Sequence, residues 1–351
     1  FLACAISIEA LLRRMECGLR AIILGTLFFA ALLLIASDYV GMDDPQLLGH
    51  AVQLGALLLL LRERGTIAAA LFAVSLFIKH NLLALPLAAG LWLLLQDRRA
   101  GLHFLLWGLA FVLSGLVLFQ LVYDASLIAE LTSPRLFSFA NIEDAIMHLW
   151  WAPLPMIAMA GFWPDRHGLF CSLYAGLAML LGLVFAMGDG VDANAFFDLA
   201  IALSLALGLV VERGRWPILA GASALPLLIF LGVNFTDNNY FFTRAFAQSS
   251  AGDIAFLKSR PGPALCDQLS LCLWAGKDAQ VDVFNVGEAI KAGARDPAPL
   301  AALIASHRFG TLQLIDMNGL GPDVRRAIEK NYRADHSDDN GAFLVPITRV
   351  P

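Results

Sequence analysis

Apolar residues in this chain run in blocks, without the one-sided spacing of a helix lying on a soluble core. Nine blocks, over residues 21–36, 47–61, 66–78, 82–95, 102–122, 147–163, 168–187, 195–211 and 216–233, are predicted as membrane segments. Residues 1–20 read as the end of one element followed by a basic loop with Arg13, Arg14 and Arg20. The stretch between 123 and 148 is wetter and carries a Ser-Pro break, the pattern of a pair of interfacial helices. Trp150, Trp151 and Trp163 mark the two ends of the 147–163 block in the manner of an aromatic belt. Beyond residue 233 the rhythm changes. Short strands over 263–267, 279–284 and 311–316 alternate with helices over 285–292, 297–307 and 322–332, and GAFLVPI at 341–347 closes as an edge strand.

Composition agrees with the blocks. Of 351 residues 59% are hydrophobic and 15% charged, with a mean hydropathy of +0.71; soluble domains carry about 25% charge. Twelve of the 24 Lys+Arg and 13 of the 29 Asp+Glu fall in the last third, from Asn234 to Pro351. The expected fold is therefore an α-helical polytopic membrane protein of about nine membrane segments, residues 1–233, with a C-terminal extracytoplasmic α/β domain, residues 234–351. The net charge of −5 leaves no nucleic-acid footprint. The chain opens on Phe1 and is read as lacking part of its N-terminus.

Charge sets the expected sidedness. With each block crossing once, Arg13, Arg14, Arg20, Arg62, Arg64, Arg98, Arg99, Arg166, Arg213 and Arg215 fall on one side, and Lys79 and Arg135 on the other. The first side is then cytoplasmic and the C-terminal domain lies outside. The 66–78 and 82–95 blocks are only 13 and 14 residues, so they are either tilted helices or a re-entrant pair.

Candidate chemistry sits on the outer side of that arrangement. Lys79, His80 and Asn81 interrupt two apolar runs, where a lysine at mid-membrane costs about 2.5–3.5 kcal/mol. They form either an anion-holding site or a plain turn. Arg135 serves a lipid phosphate or pairs with Glu130. Asp43 and Asp44 precede Pro45 and read either as a general base or as helix N-caps. Asn194 and Asp198 stand four apart, on one helix face, and Asp198 lies inside an apolar run where an ionisable group points to function. Cys266 and Cys272, the two cysteines of the outer domain, are candidates for a local disulfide, the alternative being two buried thiols. No zinc-ligand spacing, phosphate-cradling glycine loop or nucleophile elbow is present in the sequence. No cofactor or metal site is called; a divalent metal stays open.

Three stretches carry a resemblance: DDPQLLGHAVQLGALLLLL, IKHNLLALPLA and GDGVDANAFFDLAIAL. With the tail GPALCDQLSLCLWAGKDAQVDVFN they resemble the GT-C superfamily of polytopic glycosyltransferases, the dolichyl-phosphate-mannose mannosyltransferases and the bacterial aminoarabinose transferases, in a bacterial and N-terminally truncated form. The resemblance implies transfer of a sugar from a polyprenyl-phosphate donor to a lipid, glycan or protein acceptor at the outer face of a bacterial inner membrane. In such enzymes a base activates the acceptor hydroxyl while cations hold the leaving phosphate. Here Lys79, His80, Asn81 and Arg135 would hold the phosphate, with Asn194 and Asp198 as substrate contacts. The best-known catalytic aspartate of these enzymes lies in the first outward loop, upstream of Phe1 on this reading, so Asp43 and Asp44 are weak candidates for it. Two other functions fit the residues: a transporter or flippase for a lipid-linked glycan, or a non-catalytic protein whose outer domain binds a partner.

Overall fold

The structure is a computed structural model that describes residues 1–36, 38–41, 44–123, 136–159, 165–214, 217–236, 244–278 and 280–347. It is mostly helical and divides into two compact units, the first of residues 1–131 and 138–233, the second of residues 132–137 and 234–351.

The first unit is built around the helix Phe197–Glu212, in which every residue from Phe197 to Val210 is buried. A helix apolar on all sides is a core helix, and this one is wrapped by Leu2–Arg14, Leu19–Ile35, Pro153–Met159 and Arg166–Ala186. Its approach to Leu19–Ile35 is close: a Cβ on Gly25 would lie 2.6 Å from the Ser204 carbonyl oxygen, the kind of backbone contact that small residues allow between apolar helices. A second layer pairs Gln46–Leu60 with Gly65–Ile78, and Gly65–Ile78 with Arg98–Tyr123. The last of these has no buried residue in its most apolar window. Leu106, Val117 and Leu121 stand more than 60% exposed, a surface that suits hydrocarbon and not water.

Among the described residues, three helices are long and apolar enough to cross a membrane: Arg98–Tyr123, Arg166–Ala186 and Ala193–Glu212. Nine crossings are not supported. Leu19–Ile35, Gln46–Leu60, Gly65–Ile78 and Ala84–Gln96 are apolar but only 17, 15, 14 and 13 residues long. At about 1.5 Å per residue they span roughly 20–26 Å, against a hydrocarbon core of about 30 Å. The predicted 147–163 span is not one helix either. It breaks between Asn141–Met147 and Pro153–Met159, because Pro153 and Pro155 have no N–H to continue a helical ladder. Trp163 lies outside the described residues. Residues 2–14, read as the tail of an element, form a full helix.

The second unit holds a four-stranded sheet of order β1-β2-β4-β3, from β1 (Ala264–Cys266), β2 (Thr311–Leu314), β3 (Tyr332–Asp338) and β4 (Gly341–Pro346). β1 and β2 are parallel, with Ala264 opposite Thr311, and the other two pairings are antiparallel. Alternation along the strands sorts the core to two faces. Leu265, Leu312, Leu314 and Leu344 pack under the helices Ala298–Ala305 and Gly321–Asn331. Ala264, Cys266 and Phe343 pack with Leu257 and Leu271 of the helices Arg244–Ser259 and Leu269–Trp274.

Two sequence expectations change here. Residues 280–282 are not a strand, since the Asp282 carboxylate accepts from Asn285 N at 3.0 Å and opens the helix Val283–Lys291. GAFLVPI is not the edge: β4 is interior, and the edge is β3, whose polar sequence YRADHSD carries no apolar run to announce it. Charged side chains on an edge strand discourage pairing with another chain. Cys266 and Cys272 form a disulfide that ties the end of β1 to the next helix.

Candidate functional site

The first unit gathers several of the sequence candidates at one place. The helix Gly65–Ile78 ends at Lys79, whose extended backbone turns the chain while its N–H donates to Ser75 O at 3.0 Å. The turn is held against the helix Gln46–Leu60. Gln53 Nε2 donates to Leu82 O at 2.7 Å and to Ser75 Oγ at 3.1 Å, and Gly49 admits Leu82, whose Cδ1 would lie 2.3 Å from a Cβ at that position. So fixed, Lys79 Nζ donates to both Asp44 oxygens at 2.7 and 2.8 Å. Asp44 also accepts from Gln46 N at 2.7 Å, so it caps a helix start and pairs with a cation at once. The third contact comes from the 3-10 turn Ala193–Phe196, where Asn194 Nδ2 donates to Asp44 Oδ2 at 3.1 Å. The side chains of Lys79 and Asp44 are 20% and 15% exposed, which makes this trio the mouth of the site.

Behind the mouth lies a polar stripe. Gln46, His50 and Gln53 are spaced i, i+4 and i+7 on one face of their helix, and all three are buried. Gln46 Nε2 donates to Asn194 O at 2.7 Å and lies 3.4 Å from His50 Nε2. His50 Nδ1 stands 4.0 Å from Asp198 Oδ1, which accepts from Tyr174 O–H at 2.6 Å. Asn194 and Asp198 thus flank the same stripe at different depths: Asn194 belongs to the mouth, Asp198 to the interior. An ionisable pair in this apolar setting is expensive unless it is used.

The remaining candidates fall elsewhere. His80 is exposed at the tip of the turn, and Asn81 is half-buried with its Oδ1 lacking a hydrogen-bond partner. Asp43 and Arg135 lie outside the described residues. Gln46, His50, Gln53 and Tyr174 were not picked out from the sequence. The first three had a signal, since three polar residues at helical spacing interrupt QLLGHAVQLGALLLL; Tyr174 had none, because a lone tyrosine in an apolar run reads as core.

The first unit also has two hollows lined by residues close in sequence to those of the mouth. A cleft of about 190 Å³ is lined by Asp144, His148, Asp189 and Asp192, two residues before Asn194. An apolar groove of about 440 Å³ runs between Gly65–Ile78 and Arg98–Tyr123 past Val74, Phe77, Ile78, Gly115 and Phe119, and Ile78 directly precedes Lys79.

The second unit has a polar cluster of its own. His336 Nε2 lies 3.2 Å from Asp253 Oδ1, and its Nδ1 lies 3.2 Å from Asp335 Oδ2. Asn340 Nδ2 donates to Asp253 Oδ2 at 2.6 Å. Asp253, His336 and Asp338 bring ligand-type atoms within 4.8 Å of one another, but bonds within the protein already engage the Asp253 carboxylate and the imidazole. Burial pulls the His336 pKa down, and the bonds and charges of Asp253 and Asp335 outweigh it, leaving the imidazole above its ordinary value. This ion-pair cluster joins the helix Arg244–Ser259 to β3.

Comparison with protein-family models, with curated proteins and with solved structures gave no match. The site therefore carries the functional reading by its own geometry.

Proposed function

We propose that the chain is a membrane glycosyltransferase of GT-C type that takes a sugar from a polyprenyl-phosphate donor, with Lys79 holding the phosphate and Asp44 facing the acceptor hydroxyl. The observation that carries it is the mouth: a cation and an amide from two separate segments both bond one carboxylate from a third, at 2.7–3.1 Å, at the end of an apolar bundle. Displacement at a sugar carbon needs a cation on the leaving phosphate and a base on the incoming oxygen, and both are here. In this structure the two neutralise each other. On this reading the donor phosphate takes Lys79 from Asp44 as it binds and leaves the carboxylate uncovered. The groove ending at Ile78 offers the donor's hydrocarbon an apolar bed beside its charged head. The reading also puts the mouth and the C-terminal domain on the outer side of a bacterial cell membrane.

A carrier for the same lipid-linked glycan is the second reading, favoured by the buried His50–Asp198 pair beneath the mouth. One assay separates them. Purified protein with radiolabelled polyprenyl-phosphate sugars should transfer label to an acceptor, and Lys79→Ala should abolish transfer while the protein still inserts into membranes. Full transfer by Lys79→Ala would remove the phosphate-holding role, and label that crosses a vesicle bilayer unreacted would favour the carrier.

A further inference from the structure

The stripe behind the mouth is underused by its own hydrogen bonds. Gln46 Oε1, His50 Nδ1 and Gln53 Oε1 are each buried and lack a partner, and their residues are 3%, 0% and 0% exposed. An orphaned buried polar atom costs roughly 1–3 kcal/mol. Three in one row, i, i+4 and i+7 along one helix, are not a packing accident of one side chain.

The row joins two ionisable groups that do not touch. At its outer end Gln46 N and Asn194 Nδ2 bond Asp44; at its inner end the 4.0 Å gap between His50 Nδ1 and Asp198 Oδ1 exceeds hydrogen-bond reach. A water about 2.8 Å from both atoms closes such a gap and finds the two to four polar partners that a buried water needs. Past Asp198 the row stops. Tyr174 O–H caps the carboxylate, and the Tyr174 ring packs on Phe170, which in turn meets Trp92 edge-on.

We propose that Gln46, His50, Gln53, Asp198 and Tyr174 form a hydrated, dead-ended proton store that exchanges with the Asp44–Lys79 mouth through an internal file of water. The step balances. A proton that the Asp44 carboxylate has taken up from a group bound at the mouth passes by water to one ring nitrogen of His50. The other ring nitrogen releases a proton to the Asp198 carboxylate. The ring ends neutral in its opposite tautomer, Asp44 ends as carboxylate and Asp198 as carboxylic acid. The groups facing Asp198 are His50 and Tyr174, with Lys79 and Asp44 beyond His50. The inference goes beyond sugar transfer and holds equally for a carrier, since it concerns where a proton goes and not what the mouth binds.

Infrared spectroscopy of the full chain in lipid nanodiscs tests it. The carboxyl C=O band of Asp198 is assigned by its loss in Asp198→Asn, or by its shift in Tyr174→Phe, which keeps the ring. On transfer to deuterated buffer that band should shift promptly in the wild-type protein. In His50→Phe the shift should slow by about tenfold or more, an added barrier of about 1.4 kcal/mol. A wild-type Asp198 band that exchanges no faster than the amides of its own helix overturns the proposal. So does an unchanged rate in His50→Phe, or the lack of any Asp198 carboxyl band at every pH where the protein stays folded.

Discussion

Each unit contains one histidine set against an aspartate, and the two pairs are built oppositely. In the second unit His336 has both nitrogens engaged, lies flat on Phe343 at 4.5 Å between ring centres, and meets Phe256 edge-on. Its partner Asp253 comes from the helix Arg244–Ser259, which follows the last apolar helix of the first unit in sequence. The pair fastens that helix to the sheet. In the first unit His50 is fully buried, stands 4.0 Å from Asp198, and has a nitrogen with no partner. A satisfied pair at a domain surface holds structure together, whereas an unsatisfied pair among apolar helices is carried at a cost that packing alone does not return.

The contrast can be broken at several points. Removing the fastening should have the largest effect. Asp253→Ala leaves His336 and Asn340 without their shared acceptor, and because the imidazole is about one-third exposed the loss is discounted from the value of a fully buried pair to about 2 kcal/mol. Amides of the helix Arg244–Ser259 should then exchange about thirtyfold faster, at 1.4 kcal/mol per factor of ten; a change under threefold would remove the fastening role.

Next in size is a pair of identical substitutions with opposite signs. His336→Leu should destabilise its unit by about 1–2 kcal/mol, because it strands the buried Asp253 carboxylate. His50→Leu should leave thermal stability unchanged or raise it by about 1 kcal/mol, since an apolar side chain removes the imidazole together with its need for a bound water, while Tyr174 O–H still donates to Asp198. The same His50→Leu protein should lose exchange between Asp198 and the mouth. Thermal unfolding of both variants reads the two signs, and destabilisation of comparable size in both would dissolve the contrast.

The smallest effect is that of pH on the fastening. The folded pKa of His336 is raised above its ordinary value of about 6.5. Its contribution is therefore fully present below that ordinary value and is lost as pH rises through the raised folded pKa. Protection of the helix Arg244–Ser259, corrected for intrinsic exchange, should fall as pH rises above that ordinary value in the wild-type protein and stay flat in His336→Gln. A fall of equal size in His336→Gln would place the titrating group elsewhere.

Much of this was legible along the chain. Block hydropathy located most apolar helices of the first unit to within a few residues, because a run of Leu, Ala and Phe bounded by arginines has few other uses, but it passed over Leu2–Arg14 and drew one span across the break before Pro153. It could not tell a crossing from a core helix. Phe197–Glu212 is as apolar as a lipid-facing span but is walled in by protein, while Arg98–Tyr123 reads no differently and is bare. In the second unit the apolar strands β1, β2 and β4 were visible and β3 was not, since a polar edge strand has no hydrophobic period to betray it. The mouth was half visible. Lys79, Asp44 and Asn194 stood out but each also fitted a turn or a cap, while Asp198 stood out as an ionisable group inside an apolar run.

The sequence by itself therefore determined the two-part organisation, the apolar helix positions and a short list of residues too polar for their surroundings, because burial cost acts on each residue one at a time. Which of those residues meet was decided only by the tertiary structure. Asp44, Lys79 and Asn194 span 150 positions of chain, and no local rule links them; the packing of three helices brings them within hydrogen-bond reach. The same packing placed His50 beside Asp198 and withheld a partner from its Nδ1. A missing partner is a property of a filled three-dimensional space, and it does not exist until the chain has folded.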